Sequence, residues 1–135
     1  MNTANISRLS RTPPLNLLVA EDDVLTRYAI ADGLRSQDYR VLEASSGDDA
    51  LTVLRSVPVH LLFVDLHMPG HSNGLDVARF AKSLASAPKI ILTSGQVAAA
   101  DIQDLPALGI FVPKPYLISR VIDLVNAAFE AAGSR

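Results

Sequence analysis

An α/β fold, with a five-stranded parallel sheet covered by helices on both faces, is predicted by three features of the sequence. Short apolar runs alternate with segments whose apolar residues recur every three or four positions. The runs lack the strict polar alternation of a half-exposed strand, so both of their faces are expected to be buried. Several runs also stop abruptly at acids, hydroxyls or a lysine. In an open parallel sheet those ends share one edge, where ligands bind.

The elements follow in order. Leu15-Asn16-Leu17-Leu18-Val19-Ala20 is the first strand, closed by Glu21-Asp22-Asp23. Ala29 with Gly33 and Ile30 with Leu34, four apart, mark the first helix face. Arg40 to Ala44 reads as the second strand. Ser46-Gly47-Asp48-Asp49 carries helix-start chemistry ahead of an apolar stripe of Ala50, Val53, Leu54 and Val57. Leu61-Leu62-Phe63-Val64 is the most apolar strand and stops at Asp65. A loop with Met68-Pro69-Gly70 leads to a helix carrying Val77, Ala81 and Leu84. Lys89-Ile90-Ile91-Leu92-Thr93 is the fourth strand. Residues 96–108 read as weakly helical, short or mobile, because Ala98-Ala99-Ala100 is featureless and Pro106 interrupts the pattern. Ile110-Phe111-Val112 is the fifth strand, and Ile118, Ile122, Val125 and Phe129 mark a long last helix. The expected organisation is a loose tail over 1–14, one domain over 15–132 and a short tail over 133–135.

Composition narrows the function classes. With 135 residues, 49% apolar and 19% charged, the chain suits one domain with a buried core. Lys+Arg 12 against Asp+Glu 14 leaves a net charge of −2, without the basic excess expected of a nucleic-acid or anionic-lipid binder. The absence of cysteine excludes disulfides, thiolate nucleophiles and cysteine-ligated zinc. No apolar run approaches the ~18 residues of a membrane helix. The polar start, with Arg8 and Arg11, lacks the apolar stretch of a secretory signal. A cytoplasmic location is expected.

The strand ends carry the chemistry. Glu21, Asp22 and Asp23 follow the first strand, Asp65 ends the third, Thr93 and Ser94 end the fourth, and Pro113-Lys114-Pro115 follows the fifth. Carboxylates crowded on one edge repel unless a cation compensates. Oxygen-only ligands favour a hard divalent ion such as Mg²⁺. A carboxylate between such an ion and Lys114 is placed to accept a phosphoryl group, and the Thr93 hydroxyl could hydrogen-bond the product.

Together the Leu-Leu-Val-Ala-Glu-Asp-Asp run (17–23), the Asp-Leu-His-Met-Pro-Gly stretch (65–70), the Leu-Thr-Ser turn (92–94) and Lys114-Pro115 resemble the receiver domain of two-component response regulators. The likeness covers roughly residues 15 to 132. It implies a flavodoxin-like, doubly wound sheet of order 2-1-3-4-5 with five helices. It also implies that Asp65 is the phosphoacceptor and that Mg²⁺ is held by Glu21, Asp22, Asp65 and the backbone carbonyl of His67. Asp22 would be a direct ligand and Glu21 would act largely through water. Thr93 and Phe111 take the places of the switch residues, Lys114 that of the phosphate-binding cation, and Pro115 that of a proline after a cis bond. The implied partners are a histidine kinase or histidine phosphotransfer protein and a downstream protein target, with a homodimer as a further possibility.

On this reading the chain is a phosphoacceptor that catalyses its own phosphotransfer and dephosphorylation, not a dedicated enzyme. With only Gly133-Ser134-Arg135 after the last helix, no output domain is expected, which suits a stand-alone receiver, a relay or a module of a hybrid kinase. Two rivals remain. An aspartate-nucleophile phosphatase would want a second acid two residues after Asp65, where His67 stands. A flavin or nucleotide carrier would want a glycine-rich turn after the first strand, where acids stand instead. His67 and His71 are four apart, but Pro69-Gly70 between them argues against a helical zinc pair.

Overall fold

Each apolar run becomes a strand, because a segment that is apolar on both faces can be covered only inside a layered structure. The computed structural model describes residues 14–95 and 101–133, with side chains through residue 130. Most of the tail expected over 1–14, the Ala98-Ala99-Ala100 run and residues 134–135 lie outside the described residues. The strands are β1 (Asn16–Ala20), β2 (Arg40–Ala44), β3 (Leu61–Asp65), β4 (Lys89–Ser94) and β5 (Ile110–Pro113). The helices are α1 (Val24–Arg35), α2 (Gly47–Ser56), α3 (Gly74–Ser83), α4 (Leu105–Leu108) and α5 (Ile118–Gly133). All four strand pairings are parallel, and the order is β2-β1-β3-β4-β5.

Strand alternation sorts the core into two layers. Leu18, Ala20, Leu62, Val64 and Leu92 face α2, α3 and α4, meeting Leu54, Val77, Ala81 and Leu105. Leu17, Val19, Leu61, Phe63 and Val112 face α1 and α5, meeting Ile30, Leu34, Val121 and Val125. At roughly 1.5–3 kcal/mol for each fully buried large apolar side chain, these two layers outweigh any surface ion pair, worth about 0–1 kcal/mol. They fix the register, which sets Asp65 beside Thr93.

Side chains cap three helix starts, among them Ser46, whose helix-start chemistry the sequence predicts. Asp23 accepts from the Thr26 amide, Ser46 from the Asp49 amide, and Asn73 exchanges reciprocal bonds with Asp76. Three details differ from expectation. Ala29 is exposed, and the core stripe of α1 runs through Ile30, Ala31 and Leu34. Val57 lies beyond the end of α2 in extended backbone and is exposed. Pro106 does not interrupt a helix. It stands in the first turn of α4, where its fixed φ suits the start and its missing N–H leaves no bond unmade.

One glycine ties the fold to the sheet edge. A Cβ on Gly74 would stand 1.8 Å from the carbonyl oxygen of Asp65, so α3 starts against the backbone of the third strand's last residue. Gly74→Ala is expected to destabilise the protein by about 1–3 kcal/mol in urea unfolding. A loss below roughly 0.5 kcal/mol, the range of an indifferent surface change, would contradict that close approach.

Candidate functional site

The carboxyl ends of β1, β3, β4 and β5 meet in one corner. Asp65, the last residue of β3, is buried. Its Oδ2 accepts from Lys114 Nζ at 2.7 Å, and its Oδ1 accepts from the His67 backbone amide at 2.9 Å. Lys114 donates also to Oε1 of Glu21 at 2.9 Å, so one ammonium spans two carboxylates from different strand ends. Oε2 of Glu21 accepts from the Asp23 amide at 3.1 Å. The Lys114–Pro115 peptide is cis.

Glu21, Asp22 and Asp65 each offer a carboxylate oxygen, and these atoms lie within 4.8 Å of one another. Glu21 and Asp65 are buried while Asp22 is exposed, which leaves the group open on one side. Burial pushes the Glu21 carboxyl up to about 7 and Asp65 adds repulsion, against the lowering effect of Lys114 and the Asp23 amide. The single ammonium therefore does not fully offset the cost of burying Glu21 beside Asp65. Hard oxygen donors with charge to spare fit a divalent ion such as Mg²⁺. Partial burial disfavours the Lys114 charge, but hydrogen bonds to Asp65 and Glu21 outweigh it and hold the ammonium protonated above the ordinary lysine range.

Thr93 Oγ1 is buried and has no hydrogen-bond partner among the described residues, one strand across from Asp65. Such an orphan costs about 1–3 kcal/mol and calls for a reason. Phe111 is half-buried and packs against the layer of Leu92 and Leu105, alongside Ile102. The side chain of His67 is exposed. Thus Glu21, Asp22, Asp65, Thr93 and Lys114 share the corner, with His67 meeting Asp65 through its backbone and Phe111 standing behind in the core.

A family profile described as "Response regulator receiver domain" matches residues 17–126. The chain belongs to this family. Response regulator RR06 of Streptococcus pneumoniae is 30% identical over 115 residues, covering 84% of this chain and 52% of its own. This chain therefore spans about half the length of that relative. A response regulator receiver protein from Pseudomonas putida superposes with a TM-score of 0.76 at 26% identity, covering 87% of this chain and 99% of the other. Response regulator TrrA from Thermotoga maritima, solved in complex with Mg²⁺–BeF, gives 0.74 at 25% identity, covering 84% and 97%. The strand order, the five helices among the described residues and the acidic cluster are those of a receiver, a phosphoacceptor domain of two-component signalling. Among the described residues, no helix is long and apolar enough to cross a membrane.

Some receiver residues escaped the linear reading. Arg27 reaches the carbonyl of Glu21 at 2.9 Å and Glu43 at 3.2 Å. Nothing in the chain around Glu43 signals that contact. Tyr116 packs edge-on against Phe63 with centroids 5.9 Å apart, and burial first, then Glu21, pushes its phenol up to about 12. Its position two residues after Lys114 was the available signal.

A pH dependence follows from Glu21. Its folded-state proton affinity lies above the ordinary value of 4.5, so the fold holds this proton more tightly than the unfolded chain does. The stabilisation is complete below about 4.5 and is lost as pH rises through about 7. In metal-free protein, the unfolding free energy of Glu21→Gln should gain on the parent across that window. A difference that stays constant would show that Glu21 ionises as freely in the fold as outside it.

Proposed function

We propose that Asp65 accepts a phosphoryl group from the phosphohistidine of a histidine kinase or histidine phosphotransfer protein, and that the resulting charge switches the binding of a downstream protein. The observation that carries this reading is the buried Asp65 carboxylate, bonded to Lys114 and within reach of two further acids. An Asp65 oxygen attacks phosphorus, the P–N bond to the donor imidazole breaks, and the imidazole nitrogen keeps the electron pair and takes up a proton. Lys114 offers a cation to the transferring oxygens. Glu21, Asp22, Asp65 and the carbonyl of His67 would hold Mg²⁺, which when bound supplies the remaining charge neutralisation. The acyl phosphate is returned to carboxylate by water attacking phosphorus, with release of inorganic phosphate.

The buried Thr93 hydroxyl supports the switching half of the proposal, since a phosphoryl oxygen on Asp65 would supply the acceptor that it lacks. A shift of Thr93 toward Asp65 vacates space beside β5 into which Phe111 can turn, changing the surface of α4, β5 and α5. A shift of a few kcal/mol in a pre-existing equilibrium suffices.

The donor's surface is suggested by apolar exposure. Leu25 (80%), Tyr28 (64%) and Leu117 (73%) are far more exposed than large apolar side chains usually are. They belong to α1 and the turn before α5, whose facing sides bound a cleft of about 640 Å³ lined by Leu25, Ala29, Lys114, Tyr116 and Ile118. A partner helix laid there would bring its histidine toward Lys114 and Asp65.

Intact mass after treatment with a small acyl phosphate and Mg²⁺ tests the chemistry. One added phosphoryl group is expected, lost in alkali, absent from Asp65→Asn and absent when the metal is chelated. Undiminished phosphorylation of Asp65→Asn would sink the assignment. Leu25→Arg should slow transfer from a phosphohistidine donor at least tenfold, by placing a charge in an apolar contact, while leaving the small-donor rate unchanged. Equal slowing with both donors would remove α1 from the donor surface.

A further inference from the structure

Arg27 is an unexpected neighbour for a corner that has to admit a divalent cation. Its side chain is only 16% exposed. Nη1 donates to the backbone carbonyl of Glu21 at 2.9 Å and Nε to Oε1 of Glu43 at 3.2 Å. The other oxygen of Glu43 accepts from Arg35 Nη2 at 3.0 Å, and the same nitrogen reaches the carbonyl of Val41 at 2.9 Å. Glu43 lies in β2 opposite Val19. The guanidinium therefore joins the first turn of α1, an edge strand and the loop that follows β1.

The atom it holds explains its use. Glu21 lies just past the end of β1, where its amide still donates to Ala44 at 3.0 Å while its carbonyl is taken by Arg27. That carbonyl belongs to the peptide joining Glu21 to Asp22. Turning the peptide would swing the exposed Asp22 side chain relative to buried Glu21 and Asp65. The side chain of Glu21 is separately pinned by Lys114 and the Asp23 amide, so the peptide plane is the degree of freedom left for Arg27 to set.

We infer that Arg27 is a positioning residue: by holding the Glu21 carbonyl it aims Asp22 at the cation site, and Glu43 neutralises its charge so that the brace does not repel the metal. The inference rests on the proposed reading of Glu21, Asp22 and Asp65 as a Mg²⁺ site. Charge and position predict opposite signs. If Arg27 acted only as a nearby cation, its removal would tighten Mg²⁺ binding. A brace that is removed weakens it, as loss of a group that orients a ligand does.

The test is an amide NMR titration of the full chain with MgCl₂, run where urea unfolding shows each variant fully folded. Arg27→Ala should raise the Mg²⁺ Kd about tenfold. Arg27→Lys should lie between, because one ammonium can hold the carbonyl without the guanidinium fork. Glu43→Gln, with the fork still present, should raise the Kd less than Arg27→Ala. In metal-free Arg27→Ala, exchange of the Asp23 amide should quicken several-fold relative to the amides of β3. Unchanged or tighter Mg²⁺ binding by folded Arg27→Ala overturns the brace and leaves the metal site standing. A parent chain with no saturable response overturns the metal reading instead, and the metal-free exchange comparison then decides the brace alone.

Discussion

The corner depends on one electrostatic constraint: two buried carboxylates, Glu21 and Asp65, share the ammonium of Lys114 at 2.9 and 2.7 Å. Removing two such groups from water is expensive, and a single cation returns only part of the cost. The balance appears on Glu21, whose carboxyl is pushed up to about 7 chiefly by burial. An arrangement with carboxylate charge left over favours an arriving cation, and the Lys114 ammonium already bonds an Asp65 oxygen.

Stability and function are divided between the middle and the end of the same strands. Leu61, Leu62, Phe63 and Val64 are fully buried and hold β3 between both helical layers. One residue later the chain presents Asp65, and in β4 the fully buried Leu92 is followed by a hydroxyl with no partner among the described residues. Apolar burial tolerates these unfavourable ends because each layer contributes several side chains worth roughly 1.5–3 kcal/mol. The register that stacks Leu62 beside Ile90 and Val64 beside Leu92 also sets Asp65 beside Thr93. Asp65 and Thr93 are thus aligned by apolar residues that lie outside the corner.

A further layer of contacts orients the acids. The Asp23 amide holds one oxygen of Glu21 while the Asp23 side chain caps α1 through Thr26, so the helix start and the acid are placed by one residue. Burial of Arg27 and its pairing with Glu43 extend that support to β2. On the far side of the sheet, Arg79 of α3 holds Asp104, just before α4, with two bonds of 2.8 Å. That pair is exposed and joins α3 to the residue before the one-turn α4, contributing little to the stability of the fold at large.

The sequence alone determined the element types, the two-sided burial of the central strands β1, β3 and β4 and which polar residues stand at the strand ends. Those properties are written locally, as continuous apolar runs such as Leu61-Leu62-Phe63-Val64 and as polar residues at their ends. The order 2-1-3-4-5 came from resemblance, because periodicity carries no information about which strands are neighbours. Small errors arose where local pattern competes with packing: α1 is rotated to bury Ala31 rather than Ala29, and Pro106 begins a turn instead of breaking one. Only the tertiary structure decided that Lys114 bonds both Glu21 and Asp65, that the Thr93 hydroxyl has no partner among the described residues, and that Arg27 meets Glu43. Lys114 stands 93 and 49 residues along the chain from the two acids, and such proximities are set by the closing of the sheet, which no single segment encodes.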